Sequence, residues 1–432
     1  MIHQRAAILA IGDELTLGQT VDTNSAWISD QLTAMGIVPV EHVTVPDSLE
    51  ALARVLRRLS RDVDLIIATG GLGPTLDDLT RQAVAMACDD SLVEDRLSLI
   101  QIETYFAGRG RPMPELNRVQ ARRPARAIPL TNEVGTAPGL FATILQNSRS
   151  CDVFCLPGPP GEMHPMFRRQ VLPRLRPAPG RTVRTRVLHC YGIGESHLAT
   201  LLGPLMARDQ NPLVGTTASG GVVSCRIRYD GALPAIEADA RLDEIEGRIR
   251  RLAGAYLFSD LSPSLAAAVI SLLRTRSETL SVVESCTGGL LGTMLTEVPG
   301  ASSVFVGGLL TYTNEAKATL AGVDASLFEA GAPGAVSREV VSAMARGGLA
   351  RLGTTHTLAI SGIAGPGGGS APKPVGTVFI ARASAGEDHV DCREFRMTGD
   401  RAAVRDWAAK SALAMLRLHL IGQSETRLLR EV

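Results

Sequence analysis

The chain has 432 residues, and at roughly 150 residues per domain this length predicts two or three domains. Its 44 basic and 44 acidic side chains cancel, which argues against a dedicated nucleic-acid binder, and its 45% hydrophobic content argues against a disordered chain. No apolar run approaches the ~18–20 residues of a membrane span, and the seven cysteines lack the spacing of a zinc site or a disulfide framework. We therefore expect a folded cytoplasmic protein without a membrane partner or a direct nucleic-acid partner.

The first third of the chain alternates short apolar strands with helices. Asp22-Thr23-Asn24 offers N-cap chemistry for a helix that ends at Gly36. Alternation of this kind predicts an α/β fold, a doubly wound, mostly parallel sheet with helices on both faces. The predicted strands are Ala6 to Ile11, Val38 to Val45 and Asp64 to Thr69, and a second helical stripe consists of Leu49, Leu52, Leu56 and Leu59.

A glycine-rich loop follows the third strand and precedes a helix. Glycines let backbone N–H groups approach an anion, and the helix N-terminus adds its dipole. The spacing fits neither the dinucleotide fingerprint nor a P-loop. Asp77 and Asp78 stand at the predicted helix start, where they either cap the helix or hold a hydrated divalent cation against a phosphate.

Five motifs in this region resemble the amino-terminal domain of the CinA family (competence/damage-inducible protein A), over residues 5–172. They are AIGDEL (10–15), DTN (22–24), TGGLGPTLDDLT (69–80), NEVGTAPG (132–139) and LPGPPGEM (156–163). The domain is similar to molybdopterin-binding domains, and the resemblance implies a metal-dependent ADP-ribose pyrophosphatase. It places a metal ligand on Asp78 and a nucleotide-binding set on Gly70, Gly71, Gly73, Thr75, Asp47, Asp78 and Thr80.

The middle of the chain is predicted to be a small α+β connector. Pro173, Pro177, Pro179 and Gly180 mark a domain boundary. Residues 182–190 and 222–229 form predicted strands, and residues 195–206 and 242–252 form predicted helices. The segment carries no catalytic constellation, and in CinA-like chains it links two larger domains. We therefore divide the chain into residues 1–172, 173–260 and 261–432.

The last third is predicted to be a second α/β domain, beginning with a helix near Ser262-Pro263. A strand over residues 279–283 runs into a short polar turn and then a helix. Ser285 in this turn is either an N-cap or a nucleophile beside unpaired helix N–H groups that stabilise an oxyanion. Further strand ends, at residues 309–317, 358–369 and 395–405, are expected to converge on the same sheet edge. Serine with lysine is a workable nucleophile–base pair where no histidine is placed.

The motifs ESCTGG, YTNEAK, SGIAGPGG, KPVGTV and F-x-x-x-G-D-R resemble the carboxy-terminal nicotinamide-nucleotide amidase domain of the same family, over residues 262–420. The resemblance makes Ser285 the nucleophile and Lys317 the base, with Tyr312 beside it, a hydroxyl at Ser361 and a substrate-binding arginine at Arg401. Two positions depart from the family: Val283 replaces an alanine and Ser361 replaces a common threonine. The implied substrate-binding set is Thr287, Gly288, Gly289, Asn314, Gly362 and Gly365.

Three functions follow as alternatives. The leading one is hydrolysis of nicotinamide mononucleotide to nicotinic acid mononucleotide and ammonia, without a cofactor. The second is metal-dependent hydrolysis of ADP-ribose in the first domain. The third is a non-enzymatic nucleotide-binding protein connected with competence or DNA damage. In each case the partners are small nucleotides, and we expect a homo-oligomer, a dimer.

Overall fold

The computed structural model describes residues 1–146 and 149–432. The chain divides into two compact units, of which unit 1 is Met1–Arg184 with Asp230–Ala238 and unit 2 is Thr185–Tyr229 with Asp239–Val432. None of the helices in the described residues is both long and apolar enough to cross a membrane.

Unit 1 contains the predicted alternation of strands and helices. Its elements in chain order are β1 (Arg5–Ile11), α1 (Asp13–Thr16), α2 (Asn24–Ala34), β2 (Val38–Val45), α3 (Leu49–Asp62), β3 (Leu65–Thr69), α4 (Thr80–Ala87), β4 (Leu92–Glu94), α5 (Arg96–Ala107), β5 (Arg122–Pro124), β6 (Ile128–Leu130), β7 (Gly139–Gln146), β8 (Arg149–Leu156) and α6 (Pro160–Met166). The predicted N-cap chemistry at α2 is present, because the Asp22 carboxylate accepts a hydrogen bond from the Ser25 N–H at 2.9 Å.

The main sheet of unit 1 has the order β2-β1-β3-β8-β7-β6, and its first four strands are parallel. Strands β7 and β6 are antiparallel additions. Alternate residues of β1 face opposite sides: Leu9 packs with the helix α3 side chain Leu56, and Ile8 packs with Ile28 of α2. The doubly wound, mostly parallel fold is confirmed. The carboxyl ends of β1, β3 and β8 meet at one edge, where such sheets bind ligands.

The middle of the chain forms a four-stranded sheet with helices, so the α+β prediction is confirmed. The 195–206 helix ends early, at Leu202, and a 3-10 turn containing Pro204 follows it. Two strands, β10 and β12, escaped prediction; the end of β10 is exposed and polar, which removes the alternation that signals a strand. The sheet order is β10-β11-β9-β12. The elements are β9 (Thr182–Tyr191), α7 (Glu195–Leu202), β10 (Leu213–Ser219), β11 (Val222–Gly231), α8 (Ala235–Ala253) and β12 (Leu257–Ser259).

The last third is a second α/β fold, as predicted. Its sheet order is β14-β13-β15-β16-β17, with β14, β13 and β15 parallel and the remaining strands antiparallel. The first helix begins later than predicted, because Ser264 caps it and Pro263 lies outside its first turn. The elements are α9 (Leu265–Arg276), β13 (Leu280–Glu284), α10 (Leu290–Thr296), β14 (Phe305–Leu310), α11 (Asn314–Ala321), α12 (Arg338–Leu352), β15 (His356–Gly362), β16 (Thr377–Ser384), β17 (Asp391–Arg396) and α13 (Arg401–Leu420).

Helix α13 connects the two sheets of unit 2. The Tyr191 hydroxyl lies 3.1 Å from the Ser411 hydroxyl, and the Lys410 ammonium donates to the Gly220 carbonyl at 2.7 Å. At Gly221, where φ is +80°, a side-chain Cβ would lie 2.8 Å from the Trp407 ring. The hairpin between β10 and β11 therefore packs on the middle of α13.

A buried polar cluster lies at the start of β15, at the opposite end of the strand from the residues that precede the glycine loop. His356 is 3% exposed; its ring contacts the Glu278 carboxylate at 3.0 Å and the Ser384 hydroxyl at 2.8 Å. Arg382 donates to Ser384, and the His419 ring lies 5.5 Å from that of His356. Burial lowers the pKa of both histidines, and the positive charge of Arg382 acts in the same direction, whereas Glu278 opposes it at His356.

This cluster should make unit 2 less stable in mild acid. A histidine whose pKa is lower in the folded than in the unfolded state stabilises fully above its unfolded pKa of ~6.5 and loses that contribution as pH falls below it. We expect the urea midpoint to fall between pH 7 and pH 5, and to fall less in His356→Gln. His197→Gln, an exposed control, should retain the wild-type slope; equal slopes in all three proteins would contradict the assignment.

Candidate functional sites

Ser285 and Lys317 lie in direct contact in unit 2, although 32 positions separate them. Ser285 follows β13, and its N–H donates to the Ile360 carbonyl at 3.1 Å. The Lys317 Nζ, on α11, lies 3.0 Å from the Ser285 Oγ and 2.9 Å from the Thr311 carbonyl. Both side chains are buried, with 7% of Ser285 and 2% of Lys317 exposed. The structure therefore assembles the predicted nucleophile–base pair in a place shielded from water.

The electrostatics of this pair shift the lysine towards its uncharged form. Burial lowers the pKa of Lys317, because the protein interior disfavours the ammonium form. Burial raises the pKa of the neighbouring Cys286 thiol to about 12, so this thiol stays protonated at neutral pH. A neutral amine is a base, whereas a protonated thiol is a poor nucleophile. The predicted assignment of the nucleophile to Ser285 agrees with this difference and stays a prediction.

The alternative role of Ser285 as a helix cap is wrong, because the N-cap of α10 is Gly289. The prediction of unpaired helix N–H groups is also wrong. The Glu284 carboxylate, 1% exposed, accepts from the N–H groups of Gly289, Leu291 and Gly292 at 3.0, 3.1 and 2.8 Å. No feature of the sequence around Glu284, the last residue of β13, predicts this role.

Residues 285–289, called the nucleophile turn below, keep a few donors without acceptors. Within the described residues, the N–H groups of Cys286 and Thr287 make no hydrogen bond to another residue, whereas that of Gly288 donates to the Ser285 carbonyl at 3.0 Å. The Thr287 hydroxyl is buried and has no partner there either. Arg405, on α13, donates twice to the Thr287 carbonyl, at 2.7 and 3.2 Å. An oxyanion at Ser285 would find its donors in this turn.

Tyr312 and Arg401 meet at the exposed mouth of the site. The Arg401 guanidinium donates to the Tyr312 hydroxyl at 2.7 Å and to the Gly365 carbonyl at 2.9 Å. Tyr312 follows β14, Gly365 follows β15 and Arg401 begins α13, so the predicted convergence of these three segments is confirmed. The outward-facing guanidinium suits an anionic group of a ligand.

The Ser361 hydroxyl has a hydrogen-bond partner other than Ser285 and Lys317. It donates to the Ala335 carbonyl at 2.6 Å, and 1% of the residue is exposed. Asn314, the first residue of α11, is exposed, and Gly362 packs against Val378. The ligand-binding roles assigned to Asn314, Gly362, Gly288 and Gly289 stay predictions, as does the catalytic role of Ser361.

The departure at Val283 is accommodated by a glycine. Val283 is fully buried on β13, and a Cβ at Gly348 of α12 would lie 2.4 Å from its Cγ2. Because valine is larger than alanine, helix α12 packs against Val283 through a residue without a side chain, Gly348. The substitution therefore concerns packing between β13 and α12. The apolar Val283 side chain takes no part in the hydrogen bonds of Ser285 and Lys317.

Unit 1 contains a cavity of about 630 Å³ at the carboxyl edge of its sheet. The glycine loop lines one side and the segment Pro157 to Pro160 another, so the motifs singled out in the sequence meet here. Asp47, Asp78, Gly70, Gly71, Gly73 and Thr75 all line the cavity. Thr80 is buried and donates to the Gly70 carbonyl at 2.8 Å, so it shapes the loop from behind.

Asp78 braces the glycine loop instead of capping a helix. Helix α4 begins only at Thr80 and has no side-chain cap. The Asp78 carboxylate accepts from the Gly73 N–H at 2.7 Å and from the Thr75 N–H at 2.8 Å, and the Thr75 hydroxyl also donates to it. The capping prediction is therefore wrong. These two N–H groups, expected to bind a ligand anion, already bind this carboxylate.

A buried arginine holds the other side of the same loop. Arg81 is 1% exposed, and its guanidinium donates to the carbonyls of Leu72 and Gly73 at 2.8 and 2.6 Å. Burial lowers the pKa of Arg81 to about 10, which leaves it charged at neutral pH. Arg81 lies within a predicted helix, and no local pattern predicts this role, because only the folded chain brings its guanidinium under the loop.

The cavity walls are acidic. Six acidic side chains line it and, within the described residues, no Lys, Arg or His does: Glu14, Asp22, Asp47, Asp77, Asp78 and Glu162. Asp47 and Asp13 accept each other's N–H groups at 3.0 and 3.1 Å. Burial and the nearby charges of Asp13, Asp77 and Glu14 raise the pKa of Asp47. Among the described residues no three acidic, histidine or cysteine side chains are grouped closely enough to form a metal cage.

Three family models match the chain. The probable molybdopterin binding domain matches residues 7–177, the damage-inducible protein CinA KH domain matches residues 185–259, and the CinA C-terminal domain matches residues 262–420. A putative competence-damage inducible protein of Symbiobacterium thermophilum is 42% identical over 427 residues, covering 96% of this chain and 99% of that protein. A CinA-like protein of Solibacter usitatus is 39% identical, covering 98% and 99%.

The chain is also similar to solved structures. That of the competence/damage inducible protein CihA from Agrobacterium tumefaciens shares 40% identity, covers 36% of this chain and 93% of its own, and has a TM-score of 0.34.

Proposed function

Because this chain belongs to the CinA family of competence-damage inducible proteins, we propose that its last third is a Ser–Lys amidohydrolase that converts nicotinamide mononucleotide to nicotinic acid mononucleotide and ammonia. One observation carries the proposal of an amidohydrolase: the 3.0 Å contact between Ser285 Oγ and a buried Lys317 Nζ. The identity of the substrate comes from the family resemblance.

The contact fits the proton transfers of amide hydrolysis. Neutral Lys317 donates to the Thr311 carbonyl and accepts the Ser285 hydroxyl proton as Oγ bonds to the carboxamide carbon. The C–N bond then breaks, and the lysine proton goes to the leaving nitrogen, which departs as ammonia. Lys317 takes a proton from the attacking water as the water oxygen bonds to the ester carbon; the C–Oγ bond then breaks, the lysine returns the proton to Oγ, and nicotinic acid mononucleotide leaves. Acylation and deacylation each use Lys317 as the proton carrier, and each returns it to its neutral form.

The exposed end of the site supplies a place for the substrate phosphate. Arg401 is exposed, and its guanidinium is held in place by the Gly365 carbonyl and the Tyr312 hydroxyl. A fixed guanidinium suits bidentate binding of a phosphate. The test is ammonia release from nicotinamide mononucleotide by the full chain, with Ser285→Ala as the inactive control and an added chelator expected to have no effect.

The acidic cavity favours a second activity, metal-dependent hydrolysis of ADP-ribose in unit 1. The six carboxylates that line the cavity repel a negatively charged diphosphate. Divalent cations that neutralise this charge would therefore be needed for a diphosphate to bind. Hydrated Mg²⁺ is bound by one or two carboxylates together with the phosphates of the substrate. The carboxylates that line the cavity are sufficient for this, although they do not form a closed cage. Asp47 and Asp78 are the side chains that we propose to hold it.

Asp78→Asn should reduce ADP-ribose hydrolysis by about 10- to 100-fold, the scale expected when a residue that orients a metal site is lost. An asparagine places an amide N–H against either the Gly73 N–H or the Thr75 donors, so the loop changes shape. Asp62→Asn, on the surface of α3, is the control. Ammonia release should be unchanged in both variants, and equal loss of the two activities in Asp78→Asn would contradict separate sites.

A further inference from the structure

We infer that Glu284 and Arg405 are positioning residues that hold the nucleophile turn in its reactive shape, and that the N–H groups of Cys286 and Thr287 and the Thr287 hydroxyl bind the oxyanion. The inference rests on the proposed function, since it describes how the same serine is activated.

Glu284 fixes the far end of the turn. Its two carboxylate oxygens accept three N–H groups of the segment that follows, from Gly289, Leu291 and Gly292. The carboxylate is 1% exposed, so these bonds are shielded from water and from competing partners. With three donors committed to Glu284, the start of α10 is closed to a substrate oxygen.

The main chain of Glu284 also fixes the base. Its carbonyl accepts the Thr311 N–H at 2.8 Å, and the Thr311 carbonyl accepts from the Lys317 Nζ at 2.9 Å. Glu284 thus connects strand β13, which precedes Ser285, to Thr311, whose carbonyl binds Lys317. A displaced Glu284 would change the Ser285–Lys317 distance as well as the turn.

Arg405 fixes the middle of the turn from the opposite side. Its guanidinium donates to the Thr287 carbonyl through Nη2 at 2.7 Å and Nε at 3.2 Å, which sets the orientation of the peptide group between Thr287 and Gly288. The N–H of that peptide group donates to the Ser285 carbonyl at 3.0 Å. The turn is therefore held at its far end and in its middle by charged side chains of opposite sign.

The donors that remain are those nearest the nucleophile. Within the described chain, the N–H groups of Cys286 and Thr287 have no acceptor on another residue, and the Thr287 hydroxyl has no partner although the residue is 0% exposed. Buried polar groups are nearly always paired in folded proteins. An oxyanion formed on the carbon attached to Ser285 Oγ would supply the missing acceptor.

The test measures the reactivity of Ser285 in the full chain with a reagent that is not the substrate. An alkyl fluorophosphonate forms a P–O bond with Ser285 Oγ while the P–F bond breaks, fluoride leaves, and the hydroxyl proton passes to Lys317. The adduct on Ser285 is followed by mass spectrometry. The kcat and KM for ammonia release from nicotinamide mononucleotide are measured on the same proteins.

Glu284→Gln and Arg405→Gln should each slow the labelling and lower kcat by about 10- to 100-fold, the scale of a misplaced reacting group, while KM changes less than twofold. Thr287→Val should lower both rates by a similar factor, and Thr287→Ser should restore them. Glu278→Gln is the matched control. This carboxylate precedes the same strand β13 and pairs with Arg276 and His356, so its loss should lower the melting temperature and leave the labelling rate within twofold.

Wild-type labelling rates in Glu284→Gln and Arg405→Gln would overturn the inference. If Glu284→Gln does not fold, Arg405→Gln decides, because this side chain is only half-buried. Labelled wild-type protein that releases no ammonia would refute the proposed substrate, and the labelling ratios would still decide the role of the turn. Absence of labelling on wild-type Ser285 would overturn both proposals.

Discussion

Ser285→Ala should lower kcat for ammonia release from nicotinamide mononucleotide at least ~100-fold, the scale of losing a covalent nucleophile. Cys286→Ala should keep most of the activity. The two residues are adjacent, and a thiolate is intrinsically the better nucleophile, so the assignment needs this pair of variants. The structure favours serine because the Cys286 thiol has a pKa near 12, whereas the Ser285 hydroxyl touches the base.

The assay distinguishes the chemistry from the fold. Both variants remove one small atom from a buried position, so their melting temperatures should be similar and close to that of the wild type. An active Ser285→Ala with an inactive Cys286→Ala would transfer the nucleophile to the thiol. That result would leave the substrate assignment untouched.

Lys317→Met should also lower kcat at least ~100-fold, the scale of losing a general base, while leaving the protein folded. Lys317→Arg should be equally inactive, because a guanidinium stays protonated and accepts no proton. An active Lys317→Arg would show that the site needs a fixed positive charge and no base. In the wild type, kcat should rise with pH to a plateau, with its midpoint below the ordinary lysine value of about 10.4.

The same lysine should reduce stability at neutral pH. Its pKa is lower in the folded than in the unfolded chain, so the unfolded chain binds the extra proton, and stability rises with pH from the folded pKa up to ~10.4. Lys317→Met removes this dependence. The free energy of unfolding of the wild type should therefore increase relative to that of Lys317→Met as pH rises towards 10. A difference between the two proteins that does not change with pH would contradict a lowered pKa.

The parts of this molecule that the sequence predicts are those set by local pattern. Strand β1, helix α2 and strand β3 follow from apolar runs, caps and glycine stops, and the glycine loop falls between β3 and α4 as expected. Ser285 and Lys317 were paired through motif resemblance, and the structure places them 3.0 Å apart. The motifs identify the two residues, whereas their contact depends on the fold, because 32 positions separate them.

The parts that the sequence does not predict depend on contacts between distant segments or on the choice among several partners. Asp78 follows a glycine loop, and nothing in its neighbourhood distinguishes a helix cap, a metal ligand and a brace; its hydrogen bonds to Gly73 and Thr75 decide for the brace. Glu284 reads as an ordinary strand end. Ser361 is taken by the Ala335 carbonyl, 26 positions away, a contact that only the folded loop creates.

The packing of α13 has a consequence for how genes of this kind are shortened or fused. The first turn of the helix carries Arg401, and its middle carries Trp407, which is covered by the Gly220–Gly221 hairpin. A gene cut near codon 262 would encode the whole CinA C-terminal domain and remove the hairpin that covers the Trp407 indole. A lineage that keeps only the last third should therefore have replaced Trp407 with a polar residue, or acquired a new neighbour to cover it. The residue at position 407, about 145 codons after the breakpoint, would then indicate whether the first two thirds of the gene had been lost.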